Sequence, residues 1–389
     1  MNLLRRASLV AGTLALSVAG SLAGITGVSA APSVVGHVYV NDNTAGTNTI
    51  GAFNRMADGS LVAMPGSPFS AGGAGTGASL GSQGSLQVST DGRYLLAVDA
   101  GSNQISVLRI ARNGSLALVS SGPVASNGIE PVSIAVHENL VYVANEGDGA
   151  TATGSNYTGF LLDPRGTLHP IPNSTIVLSP TASPGDVFFS PDGRHLVGTE
   201  VGPALIDSFD VVGGGLLALA PGSPFAAQGP GPFGSEFRPT NSSQVFVSNA
   251  HGGTDAGTVS AFDVTANGIL TSVAGSPYAD NQTAPCWVEI SHDGQYLFTV
   301  NTGTPSISSY AIAADGTLTL IGSAPFANSA ASPKPFDARL DPSGKFLYVV
   351  ESGADAVGVF AVNGGTLTEI SSSPFAGPAG ATPFGMVVT

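Results

Sequence analysis

Cysteine is nearly absent: Cys286 is the only one among 389 residues. No internal disulfide can staple the chain, so its stability has to come from a large apolar core, which a chain of this length can supply. Positive charge is scarce too. Against 26 Asp and Glu stand only 12 Lys and Arg, a formal charge of −14, which disfavours nucleic acid and anionic lipid as partners and favours solubility. Charged residues of both signs make up only 10% of the chain, so the surface must be largely neutral and polar, built from the abundant Gly, Ser, Thr and Asn. Helical patterning is missing beyond the first thirty or so residues, which together with many β-branched residues gives an all-β composition. There is no dinucleotide fingerprint either: Gly73-Ala74-Gly75-Thr76-Gly77 has no strand-turn-helix context and reads as a flexible connection. Nothing has zinc-ligand spacing.

What is present begins with a leader. Met1 to Ala30 carries Arg5-Arg6, an apolar run of small residues from Ala7 to Val28, and Val28-Ser29-Ala30 before Ala31. This is the plan of a secretory signal peptide over residues 1–30, and it predicts an exported protein, free outside the cell or associated with its envelope. The alternative of an uncleaved membrane anchor fits less well with the Gly, Ser and Thr content of the run and its cleavage pattern.

The remainder is repetitive. Pro335 to Phe375 contains four short β-patterned runs separated by turn signals, the unit of a propeller blade. One apolar strand marks each looser copy: His37–Asp42, Tyr94–Asp99, Leu140–Asn145, His195–Glu200, Gln244–Asn249, Tyr296–Asn301 and Phe346–Glu351. These recur roughly every fifty residues. Turns such as Asp91-Gly92, Asp192-Gly193, Asp293-Gly294 and Ser343-Gly344 precede the marker strand, and Ser-Pro-Phe or a variant closes the repeat at Ser67, Ser223, Ser276 and Ser373. The first copy lacks its leading strand, whereas Thr382 to Thr389 is a leading strand with nothing after it. The pattern predicts one domain over residues 32–389, an all-β seven-bladed propeller closed where the C-terminal strand completes the first blade.

The spacing, the Ser190-Pro-Asp-Gly-Arg194 turn and the Phe346-Leu-Tyr-Val349 run resemble the seven-bladed lactonase family, which includes 6-phosphogluconolactonase-like and carboxymuconate-cyclase-like proteins. The repeat is also similar to the YVTN-type propellers of secreted and surface-layer proteins. The first resemblance implies a hydrolase or lactonising cyclase that opens or forms the lactone ring of a sugar-acid or muconate-like substrate, with no organic cofactor. Family members with lactone chemistry typically carry Pro-His at the heads of leading strands, with Glu and Arg around the channel mouth. The matching pairs here are Gln83-Gly84, Pro131-Val132, Pro184-Gly185, Pro232-Phe233, Pro285-Cys286, Pro335-Phe336 and Pro383-Phe384, none with histidine. The rival expectation is a non-catalytic extracellular scaffold that recognises a glycan, a peptide or a cell-surface component. In either case the chain is expected to act as a monomer.

If the leading strand is innermost, its head and the loop after the marker strand share one face, where ligands are expected. Four residues after each head come Gln87, Ala135, Phe188, Glu236, Glu289, Arg339 and Val387. Glu236, Glu289 and Arg339 belong to consecutive blades and are the catalytic candidates: a glutamate activates water while Arg339 stabilises an oxyanion or anchors a carboxylate. The same three could instead form a self-satisfied ionic network between blades. Asp186 and Asp337, two residues after their prolines, either contact a ligand or bind amides of the connecting loops. Asp42, Asp99, Asn145, Glu200, Asn249, Asn301 and Glu351 could ring a hard cation, or bond the backbone locally. Asp148 lies in an acidic stretch that does not match a calcium loop. Cys286 is either a nucleophile or, beside Trp287, a small core residue. His251 is the one histidine on the expected ligand face.

Overall fold

The computed structural model describes residues 33–329, 333–378 and 380–389; the leader over residues 1–30 lies outside them. Turn chemistry sets each hairpin. At Ser89-Thr90-Asp91-Gly92 the Ser89 hydroxyl donates to Asp91 (2.7 Å) and accepts the Tyr94 N–H (3.0 Å), while Gly92 adopts φ 70°, which costs glycine nothing. Ser190-Asp192-Gly193 and Ser291-Asp293-Gly294 repeat the device. The serine of Ser-Pro-Phe has an equally specific task. Its hydroxyl accepts an N–H from the third strand, as Ser67 does from Ala52, Ser223 from Ser208 and Ser373 from Val359. The residue after the proline then adds a short fifth strand against that third strand.

Seven antiparallel sheets result. In chain order their innermost strands are Gly385–Val388 for blade 1, then Leu86–Val88, Pro131–His137, Pro184–Phe189, Pro232–Arg238, Pro285–Ile290 and Pro335–Leu340 for blades 2 to 7. Each inner strand packs against the inner strands of its neighbours, and the last contacts Gly385–Val388, so the circle is complete. Gly385–Val388 pairs antiparallel with Val34–Asn41, aligning Tyr39 with Val387 and Val40 with Met386. Arg55 of blade 1 locks this seam: its Nη1 donates to Asp341 Oδ2 of blade 7 (3.0 Å) and its Nη2 to the Thr389 carbonyl (3.1 Å).

Neighbouring blades are stitched by tyrosines. The hydroxyls of Tyr39, Tyr94, Tyr142 and Tyr348 donate to the carbonyls of Gly114, Pro164, Gly215 and Gly59 in the following blade, the last bond running from blade 7 to blade 1. Gly59 lies at φ 86°, and a Cβ there would strike the Phe346 ring. Glycine is therefore required twice over at that position. Between the sheets lie buried aliphatic and aromatic side chains, the core that a chain without disulfides needs.

Candidate functional site

An innermost strand has no strand beside it on the channel side, so its free N–H groups must find other acceptors. The chain supplies them from the adjacent blade. Ser133 Oγ accepts the Val187 N–H (3.2 Å), Asp186 Oδ2 that of Ser235 (2.9 Å), Glu289 Oε1 that of Leu340 (2.8 Å) and Asp337 Oδ2 that of Met386 (3.1 Å). Asp186 and Asp337 thus bind strand amides across the blade junction, rather than the loop amides expected from sequence.

At the head end of the channel, the face on which ligands were expected, Phe233, Trp287, Phe336 and Phe384 fill the axis. Trp287 lies 5.3 Å from Phe233 and 4.9 Å from Phe336, and Phe336 lies 5.0 Å from Phe384, centroid to centroid. None of the four is more than 7% exposed. A short segment of blade 2 completes the seal. Ser82 Oγ donates to the Val132 carbonyl of blade 3 (2.7 Å), the Gln83 N–H to Gly185 of blade 4 (2.8 Å), and Gln83 Nε2 to Ser235 of blade 5 (3.1 Å). From blade 6, the Val288 N–H reaches Gln83 Oε1 (2.8 Å) and Trp287 Nε1 the Ser82 carbonyl (2.9 Å). The expected ligand face is therefore closed: three of the positions where the resemblance implies histidine carry Phe233, Phe336 and Phe384, which pack around Trp287. Cys286 belongs to this seal, and burial pushes its thiol up to about 12, so it is an inert core residue.

Deeper along the same strands the wall becomes polar. Gln83, Gln87, Phe188, Glu236, Glu289 and Arg339 enclose a cavity of about 180 Å³. The three candidates thus come together, as their register predicts, with Gln87 and Phe188 from the same rank; Ala135 and Val387 remain in apolar clusters between blades. The cavity lies beyond the seal, toward the end where the hairpin turns lie, and its lining is part-exposed: the side chains of Arg339 and Glu289 are 15% and 11% exposed, and Gln87, Phe188 and Glu236 are also part-exposed.

Arg339 Nη1 donates to Asp337 Oδ1 (2.7 Å) and to the Ala338 carbonyl (2.7 Å), and lies 3.6 Å from Glu289 Oε2. Among the described residues Nε and Nη2 have no hydrogen-bond partner, which leaves them for a ligand. Glu236 Oε2 is likewise buried without one. Burial, and then repulsion from Glu289, hold the Glu236 carboxyl well above the usual range. Burial raises Glu289 to about 7, with Arg339 opposing the rise. One guanidinium cannot neutralise the four carboxyls of Asp186, Glu236, Glu289 and Asp337, so protons must make up the difference. Sequence reasoning missed Gln83 as a channel residue. Its one signal is that blade 2 alone has no proline at its head.

The remaining candidates resolve locally. The marker-strand termini form no ring: Asp42 pairs with Thr49, Asn145 with Asn156, Asn249 with Thr258 and Ser260, and Asn301 with Ser306 and Ser308, each within its own blade, while Asp99 accepts from Ser106 of its own blade and from Asn48 of blade 1. Asp148 accepts the Ala150 and Thr151 N–H groups of its own turn. His251 is exposed on the sealed face. No cluster of His, Cys, Asp and Glu among the described residues could hold a metal ion.

Solved structures reproduce the ring. A candidate 6-phosphogluconolactonase of Bacteroides uniformis superposes with a TM-score of 0.72 at 19% identity, over 91% of this chain and 99% of its own. One from Bacteroides fragilis gives 0.70 at 20%, over 91% and 98%. The periplasmic gluconolactonase of Pseudomonas aeruginosa gives 0.70 at 18%, over 91% and 99%. At such identities the likeness is one of fold. None of the curated proteins matches the chain. Residues 226–383, however, match the family described as lactonase, 7-bladed beta-propeller. That segment runs from blade 4 to the head of the closing strand and carries all three channel candidates, so the chain is a seven-bladed β-propeller that over this segment is similar to the lactonase family.

Proposed function

We propose that this chain is an exported lactonase that opens small lactones in its central channel. The observation that carries the reading is the convergence of Glu236, Glu289 and Arg339 in one solvent-reached cavity. Each has a chemical part. Glu289, titrating near neutrality, takes a proton from water as that water attacks the lactone carbonyl. The free donors of Arg339 stabilise the oxyanion. When the tetrahedral intermediate collapses, the ring C–O bond breaks and the protonated Glu236 delivers its proton to the departing alkoxide. Solvent then restores both carboxyls, and the product is the hydroxy acid. As Glu289 must be ionised to act, kcat/KM should rise with pH through about 7. The export half of the proposal is supported by the leader pattern of residues 1–30.

The test is a panel of aldonolactones and muconate-type lactones presented to the purified chain from residue 31, with acid release followed at constant pH. Glu289→Gln and Arg339→Ala should each remove most turnover. Turnover indifferent to both changes would place the chemistry elsewhere. The second reading, a binding scaffold, is favoured by the aromatic seal and by the structural duty of Glu289 toward Leu340. No acid release from any lactone in the panel would select it.

A further inference from the structure

Resting on the lactonase reading, the charge inventory of the channel goes further and separates two substrate classes. Among the described residues Arg339 is the only cation lining the cavity, and its Nη1 is already committed to Asp337 at 2.7 Å and approached by Glu289 at 3.6 Å. Asp186, Asp337, Glu236 and Glu289 all act on it. A phosphate ester brings nearly two negative charges and asks for several cations or free N–H donors. Here the amides of the inner strands are occupied: those of Ser235, Leu340 and Met386 by carboxylates, and that of Val288 by Gln83. The neutral part of the lining has the opposite character. Gln87 makes no side-chain hydrogen bond among the described residues, so its amide offers a donor and an acceptor to a hydroxyl. Phe188 supplies an apolar wall. At about 180 Å³ the cavity is smaller than the ~300–1,000 Å³ typical of drug-sized ligands, which suits a single ring.

We propose that the channel site takes an uncharged, hydroxylated monocyclic lactone and rejects the same lactone carrying a phosphate ester. Like-charge placement in a confined site costs enough to set the discrimination at about a hundredfold or more.

The experiment compares one aldonolactone with its phosphorylated counterpart, by turnover and by calorimetric binding of the two matching lactams, which cannot be hydrolysed. The expected result is turnover of the neutral lactone, binding of the neutral lactam, and at least about a hundredfold deficit for both phosphorylated compounds. Gln87→Ala, which breaks no hydrogen bond of the fold, should weaken the neutral lactam about tenfold, the worth of one hydrogen bond. Equal or better turnover of the phosphorylated lactone would overturn the selectivity and leave the lactonase reading standing. Selective, Gln87-dependent binding of the neutral lactam without turnover of either lactone would do the reverse. If neither lactam binds, the selectivity proposal falls, and the wider panel described above decides the lactonase reading separately.

Discussion

The two ends of the central channel are built from the same seven strands, a few residues apart, yet one is a dry aromatic plug and the other an ionic cavity. Residues directly after the head prolines, such as Phe233 and Phe336, fill the axis at one end. Residues four places after the same prolines, such as Glu236 and Arg339, line a cavity toward the other. The difference teaches that register alone decides which side chains face the axis, whereas side-chain volume decides whether the axis remains passable. It also assigns costs. The plug contributes by burial, about 1.5–3 kcal/mol per large apolar side chain, and the ionic end holds its buried charges at some expense in stability.

Breaking the ionic end should give the largest effect. Arg339→Ala leaves buried carboxyls without their cation; turnover should fall about 10²–10³-fold and urea-monitored stability by about 3–5 kcal/mol. The emission of Trp287, the only tryptophan, should stay that of a buried indole in the native state. Phe336→Ala attacks the other end. It should cost about 3–5 kcal/mol by opening a cavity while turnover changes by no more than a few-fold; a collapse of turnover in the folded variant would show that the two ends are not independent. Gln83→Ala tests their junction. It strips the Ser235 carbonyl and the Val288 N–H of their partners, and should cost about 1–3 kcal/mol and shift Trp287 emission to the red.

A further test of the ionic end is its pH dependence. The folded Glu289 value of about 7 lies above its ordinary 4.5, so its contribution to stability is fully present below about 4.5 and is lost as pH rises through about 7. Glu289→Gln cannot ionise, so its stability should fall less than that of the wild type over this window. Parallel curves in urea titrations across the window would mean that Glu289 keeps an ordinary pKa.

Much of this architecture was legible from sequence because it depends on local chemistry repeated seven times. Asp-Gly turns, Ser-Pro-Phe closures and alternating marker strands each specify a backbone state within a few residues. The missing leading strand of the first repeat, matched by the surplus strand at Thr382 to Thr389, gave away the closure. Counting four residues from each head was enough to bring Glu236, Glu289 and Arg339 into one place. It could not say that they would lie beyond a seal, because that depends on how Phe233, Trp287, Phe336 and Phe384 share one axis. Nor could it reveal Gln83, whose amide serves two blades on the far side of the ring and has no neighbour in sequence that explains it. The marker-strand carboxylates and amides failed as a cation ring for the same reason in reverse: their true partners, such as Thr49 and Asn156, sit on the adjacent strand and were available all along.

The seam at Val38–Asn41 has a temporal meaning. Its hydrogen-bonding partner, Gly385–Val388, follows all seven marker strands in the chain, so a growing polypeptide carries an unpaired edge strand until that segment has been made. Joining such distant segments is entropically expensive and kinetically slow, and until it happens that edge is a template for association with other chains. A polypeptide with this wiring gains from being kept unfolded until its closing strand is available.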